Sequence, residues 1–236
     1  MAIKPILFNT EMVRAILDGR KSCTRRLVKP QPDEKHTYPL GFVTDSTEKK
    51  EVGCFGFGID EYGGSIQYAK PPYQPGDILY VRETFYEDVD CILYKADNEK
   101  LTGYRNMRGE DIVVKWRPSI HMPKEAARIW LRVTDVRVER LHEITEDGAK
   151  AEGINEEWAR SWWHPTYDDP DSGGYPRYRD TFALDLWNST IKKSALDKYG
   201  WDANPWVWVI EFERCEKPAE SPYAWNDAIH KLTKGV

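Results

Sequence analysis

The sequence predicts an α+β chain, a small β-barrel with flanking helices and two loop-rich insertions. Two runs of β-forming residues, 129–141 and 206–213, carry most of that reading, because apolar and polar side chains alternate along them as a half-buried strand requires. The third observation is how little helical periodicity there is, all of it in short stretches framed by capping residues and glycine. Strands that recur between turn signals, with few helices between them, point to a barrel.

Residues 5–8 read as a short strand, after which Asn9 or Thr10 can cap a helix whose apolar positions are Met12, Val13, Ile16 and Leu17. Gly19 ends that helix. Residues 31–73 are rich in Pro, Gly and charge and form the first insertion, read as a pair of hairpins lying over the core. Pro75-Gly76-Asp77 is a turn into a strand over 78–85, and residues 91–95 pair nearby. Prolines 118 and 123 keep 98–125 irregular.

In 129–141 the apolar set changes parity near Asp135, which predicts a bulge or bend. Thr145 can cap a short helix through Ala149 and Ala151 that closes at Glu152-Gly153. The second insertion, 155–179, is aromatic and loop-like, and Phe182, Ala183, Leu186 and Trp187 mark one face of a further helix. Trp206, Trp208, Ile210 and Phe212 line one face of the last strand. The sequence thus reads as a single domain over 1–217 and a tail over 218–236, with a short helix at 223–232.

Composition narrows the function classes. With 40% hydrophobic residues the chain can fill a core, so its 31% charged residues mark a globular surface rather than disorder. A net charge of −5 argues against coating long nucleic acid through a general positive field. Arg20, Lys21, Arg25, Arg26 and Lys29 still supply a local basic patch. The four cysteines show no C-x-x-C pairing, which points to free thiols, a reducing compartment and no metal site. No apolar run approaches a membrane span or a signal-peptide core, so the expectation is a cytoplasmic protein without membrane partners.

The chemistry concentrates just past the first helix, in Asp18-Gly19-Arg20-Lys21-Ser22-Cys23-Thr24-Arg25-Arg26. Glycine lets the backbone reverse, and the residues after it present an amine, a hydroxyl and fixed positive charge close together. In an extended chain Lys21 and Thr24 would point to opposite faces, so a turn at the helix exit is needed to bring them together. On these residues alone, a turn capped by Thr24 with Lys21 in solvent fits equally well.

The spacing Gly19-x-Lys21-x-x-Thr24-x-Arg26 resembles the G-x-K-x-x-T-x-R signature of the ASCH domain family, whose β-barrel is similar to the PUA RNA-binding domain. Support comes from the helix before the motif, from Gly76-Asp77-Ile78, which resembles the family's strand opening, and from the strand at 207–212. The likeness covers segments 5–30, 75–95, 129–153 and 205–213, and the opening at 6–12 is similar to longer ASCH proteins of bacteriophages and prophages.

The resemblance implies an activity. A small bacterial member hydrolyses N4-acetylcytidine, and relatives accept other N4-acylated cytosines, with a Thr nucleophile, a Lys base and a Glu acid. Those roles fall on Thr24 and Lys21 and, through the similar Ile144-Thr145-Glu146 helix start, on Glu152, with Glu143 and Glu146 as neighbouring carboxylates. No cofactor or metal is implied.

Each step of such an amide cleavage has a residue. Thr24 supplies the hydroxyl, burial and the surrounding arginines would free the Lys21 amine as a base, and Glu152 would protonate the leaving nitrogen. Arg25 and Arg26 can hold substrate, and Trp116, His121, Arg82 and Glu83 are candidates for a slot around cytosine. Each of these four has a plainer reading: core filling for Trp116, a structural hydrogen bond for His121 and strand-to-strand pairing for Arg82 and Glu83. The expected partner is a small-molecule nucleoside. The alternative is an RNA- or single-stranded nucleic-acid-binding module, or a nuclease, that uses the basic 21–29 segment on phosphate.

Overall fold

The computed structural model describes residues 1–89, 91–160 and 177–219. The expected helix at 223–232, most of the tail and the middle of the second insertion lie outside the described residues.

Twelve strands are present among the described residues: β1 (Ile3–Leu7), β2 (Cys23–Leu27), β3 (Tyr38–Phe42), β4 (Phe55–Gly58), β5 (Ile66–Ala69), β6 (Ile78–Arg82), β7 (Phe85–Glu87), β8 (Ile92–Tyr94), β9 (Gly103–Arg105), β10 (Asp111–Val113), β11 (Trp130–Arg140) and β12 (Trp206–Cys215). The central sheet has the order β1-β6-β11-β12-β2. Its β1–β6 pair is parallel and the others are antiparallel. The chain is a mixed α+β structure with several sheets and few helices.

The barrel expectation is corrected here. β1 and β2 are the two ends of the central sheet, and no ladder joins them among the described residues. Side chains occupy the gap instead: Arg26 Nη2 on β2 donates to the carbonyl of Leu7 on β1 at 3.1 Å, with the Phe8 ring beneath the guanidinium. A backbone ladder would need the edges about 4.8 Å apart, which leaves no room for side chains between them.

One face of this sheet buries Ile6, Leu79, Val81, Leu131, Val133, Ile210 and Phe212, and Val207 and Val209 are buried on the other. β11 is the long strand expected from the alternation, and its register with β12 shifts between Val133 and Asp135. The bulge lets Val133 and Val136, which differ in parity, both be buried.

The first insertion folds into a separate antiparallel sheet, β3-β4-β5. It is joined to the core by aromatic packing, since the Phe57 and Trp206 rings lie 5.3 Å apart and Phe42 stacks on Trp208 at 6.1 Å. Two other expectations change. The strand at 78–85 breaks after Arg82, where Glu83 N–H turns to Met122 Sδ at 3.2 Å, and Phe85 begins the separate β7–β8 pair. Within 98–125, β9 and β10 form a hairpin that the prolines farther along had obscured.

Phe57 is 1% exposed, so Phe57→Ala should lower the unfolding free energy by about 3–5 kcal/mol in urea denaturation. A loss below about 1 kcal/mol would mean that the insertion merely rests on the core.

Candidate active site

Helix α1 (Thr10–Leu17) begins at Asn9, whose side chain accepts from Met12 N–H at 2.9 Å, and it buries Met12, Val13, Ala15 and Ile16. At its far end Gly19 takes φ +74°, and the N–H groups of Arg20 and Lys21 both donate to Ala15 O, at 2.9 and 3.0 Å. The reversal thus lies before Lys21, whereas Lys21 itself sits in a bridge and Thr24 in β2, so no turn separates the two. The reversal sets Lys21 against Glu152 in an antiparallel bridge, while Ser22 N–H donates to Ala151 O at 2.9 Å.

Glu152 caps the C-terminus of α2 (Glu146–Ala151), whose N-terminus is capped by Thr145 accepting from Gly148 N–H at 3.0 Å. The next residue has to be glycine. Gly153 has φ +101°, and a Cβ there would lie 2.6 Å from Ala15 Cβ and 3.1 Å from Lys21 Cβ. The close approach of α1 and α2 brings the lysine and the glutamate together.

Lys21 Nζ donates to Glu152 Oε2 at 2.7 Å and to Glu152 O at 2.8 Å. Arg25 Nη1 reaches the other carboxylate oxygen at 3.3 Å, and its Nη2 pairs with Glu139 Oε2 at 3.2 Å. The side chains of Lys21, Arg25 and Glu152 are 1%, 3% and 3% exposed. Glu139 in turn accepts from Arg137 Nε at 2.6 Å, so the buried charges of Lys21, Arg25 and Glu152 continue into a network of ion pairs toward the surface, as buried charge demands. The sequence reading had surrounded the amine with arginines, but its nearest charge is a carboxylate.

Neighbouring groups are tuned by burial. The Cys23 thiol is pushed up to about 12, first by burial and then by the Glu152 charge, so it stays protonated and is no nucleophile at neutral pH. Burial holds the Arg26 guanidinium below its ordinary value, and the hydrogen bonds it makes go to the carbonyls of Leu7 and Arg25.

Lys21, Thr24 and Glu152 line one cavity of about 150 Å³ together with Arg25 and Arg26. Its apolar walls are Phe8, Phe182, Leu186 and Trp187, the last three on the π-helical stretch Phe182–Trp187 where the sequence predicts an α-helix. A cavity near this size holds a benzene-sized ring. It adjoins a larger groove of about 460 Å³, which shares Arg25, Arg26, Trp187 and Thr190 with it.

Four residues expected to hold a base are not in this place. Arg82 sends its side chain to the carbonyl of Ile120, and Glu83 is held by Arg128 at 2.9 and 3.1 Å. Trp116 and His121 are on the 114–123 loop, and none of the four lines either cavity. The strand break after Arg82 turns that part of the chain away. Sequence reasoning missed Phe8, Glu139 and the wall formed by Phe182 and Trp187; the apolar periodicity of 182–187 marked those two as buried without saying against what.

No family model matches the chain, and no curated protein matches it. Among solved structures, the chain is similar to the crystal structure of an ASCH domain from Lactobacillus crispatus JV V101, with 14% sequence identity and a TM-score of 0.32, covering 90% of this chain and 79% of that one. No helix among the described residues is long and apolar enough to cross a membrane.

The charge cluster predicts an asymmetry in stability. Glu152→Gln strips Lys21 of its carboxylate partner and leaves Arg25 with Glu139 alone, and should cost about 3–5 kcal/mol. Lys21→Met should cost clearly less, because Arg25 still pairs with Glu152. Chemical denaturation of the two variants checks this, and equal losses would contradict it.

Proposed function

We propose that the protein is an amidohydrolase that removes acyl groups from N4-acylated cytosine, with Thr24 as nucleophile and Lys21 and Glu152 as a base and acid couple. The observation that carries this reading is that a hydroxyl, an amine and a carboxylate line one ring-sized cavity, with the amine and carboxylate buried at 2.7 Å. The resemblance of the Lys21–Arg26 motif to the ASCH signature supplies the substrate class.

The pair can hold its shared proton in two ways. With the proton on nitrogen it is an ion pair. Transfer of that proton to oxygen leaves a neutral amine beside a carboxylic acid. The neutral form contains both groups that amide cleavage needs. As Thr24 Oγ attacks the acyl carbon, its proton passes to the Lys21 amine. The C–N bond then breaks and N4 takes the proton from the Glu152 carboxyl, leaving cytosine, an acyl-threonine, an ammonium and a carboxylate.

Water completes the cycle by attacking the ester and giving its proton to Glu152, while Lys21 returns one to Thr24 Oγ as the acid departs. Arg25 lines the cavity, and its fixed positive charge would favour the oxyanion that forms in each half. The walls of Phe8, Phe182 and Trp187 suit a flat pyrimidine.

The rival reading assigned Lys21, Arg25, Arg26 and Lys29 to phosphate. Lys21 and Arg25 are buried against carboxylates, which leaves Arg26 and Lys29 for that role.

Spectrophotometric assay with N4-acetylcytidine tests the proposal. Thr24→Ala should reduce kcat by at least about a thousandfold with little change in substrate Kd, and Thr24→Ser should keep part of the activity. Absence of hydrolysis by the unaltered protein at high concentration would overturn it.

A further inference from the structure

The groove outside the cavity is charged in a way that the hydrolysis of a neutral nucleoside does not use. Arg25, Arg26, Lys29 and Lys70 line it, and no carboxylate does, although the chain as a whole carries a net charge of −5. Arg25 is neutralised from behind by Glu139 and Glu152. Arg26 makes no ion pair among the described residues: its guanidinium bonds to backbone carbonyls, with Glu152 acting on it only at a distance. Lys29 and Lys70 are exposed, and no ion pair holds either among the described residues. Three cations without an ion-pair partner line one groove, repel each other and are relieved when an anion enters.

Geometry says where that anion sits relative to the chemistry. The inner cavity, at about 150 Å³, takes a ring and little more, so the sugar of a bound nucleoside must extend into the groove, through the mouth formed by Arg25, Arg26, Trp187 and Thr190. Tyr73 and Trp208 supply apolar wall there, and Lys29 and Lys70 lie beyond.

We infer that the groove binds a phosphate ester carried on the sugar of the substrate, so that the substrate is a nucleotide, free or within a single strand, rather than an unphosphorylated nucleoside. The inference rests on the reading of the inner cavity as the site of the acylated base. Arg26 at the mouth fits the phosphate nearest the sugar, because a guanidinium can donate two parallel hydrogen bonds to phosphate oxygens. Lys29 and Lys70 act as point charges around it.

The test compares N4-acetylcytidine with its 5′-monophosphate as substrates, and cytidine with cytidine 5′-monophosphate and a short oligocytidylate as ligands, each at low and high salt. The protein is the unaltered chain and the Lys29→Ala/Lys70→Ala double variant, whose exposed side chains are not part of the core. The expected result is a kcat/KM advantage of about tenfold or more for the monophosphate, which salt weakens and the double variant loses, with hydrolysis of N4-acetylcytidine unchanged.

Equal kcat/KM for the two substrates overturns the inference while leaving the hydrolase reading intact. If neither substrate is hydrolysed, the hydrolase reading fails and binding decides: a preference for cytidine 5′-monophosphate over cytidine that the double variant loses supports the phosphate site, and equal affinities overturn it. Tighter binding of the oligocytidylate than of the mononucleotide identifies a strand as the source of the phosphate, and the reverse identifies a free nucleotide.

Discussion

A carboxylate buried between two cations is the constraint on which the rest of this site depends. Glu152 accepts from Lys21 on one oxygen and from Arg25 on the other, and Glu139 is shared between Arg25 and Arg137. Such a cluster tolerates little displacement, since any member that loses its partners becomes an uncompensated charge in a low-dielectric interior. The fold supplies the required rigidity through short local devices. The reversal at Gly19, the bridge between Lys21 and Glu152 and the close approach at Gly153 fix the two backbones, and β12 holds β2 along five residues of antiparallel ladder.

The same arrangement explains why the central sheet stays open. A closed ladder between β1 and β2 would fill the space that the cavity occupies. Instead, the edges are spanned by Arg26 and Phe8, and the cavity mouth lies where backbone hydrogen bonds would otherwise be. The groove beyond it has a different electrostatic character. Lys21 and Glu152 are paired inside the cavity, while Lys29 and Lys70 in the groove have no ion-pair partner among the described residues.

Local sequence signals held wherever a capping residue or a change of parity set the structure. Asn9, Gly19, Thr145 and Glu152 mark the helix ends where they are found, and the parity change near Asp135 marks the bulge in β11. The placement of Lys21, Thr24, Arg25 and Arg26 around one cavity was legible through the motif, and that of Glu152 through the similar helix start at 144–146. What was not legible depends on distant parts of the chain. Arg82 and Glu83 read as strand residues facing a pocket, but Met122 and Arg128, some forty positions away, draw the chain elsewhere. The aromatic wall from 182–187 and the contribution of Glu139 likewise arise only once β12 sets β11 two strands away from β2 and Phe182 meets the Arg25 guanidinium. Spacing along a sequence reports neighbours on one element and carries no signal for these meetings.

The sharpest test is acid-quenched mass spectrometry during turnover of N4-acetylcytidine, reading the peptide that contains residue 24. The account predicts an acetyl ester on Thr24 that forms with substrate and disappears as substrate is exhausted. Hydrolysis that proceeds at an undiminished rate in Thr24→Ala, with no acyl group found on the peptide of the unaltered protein, would contradict it.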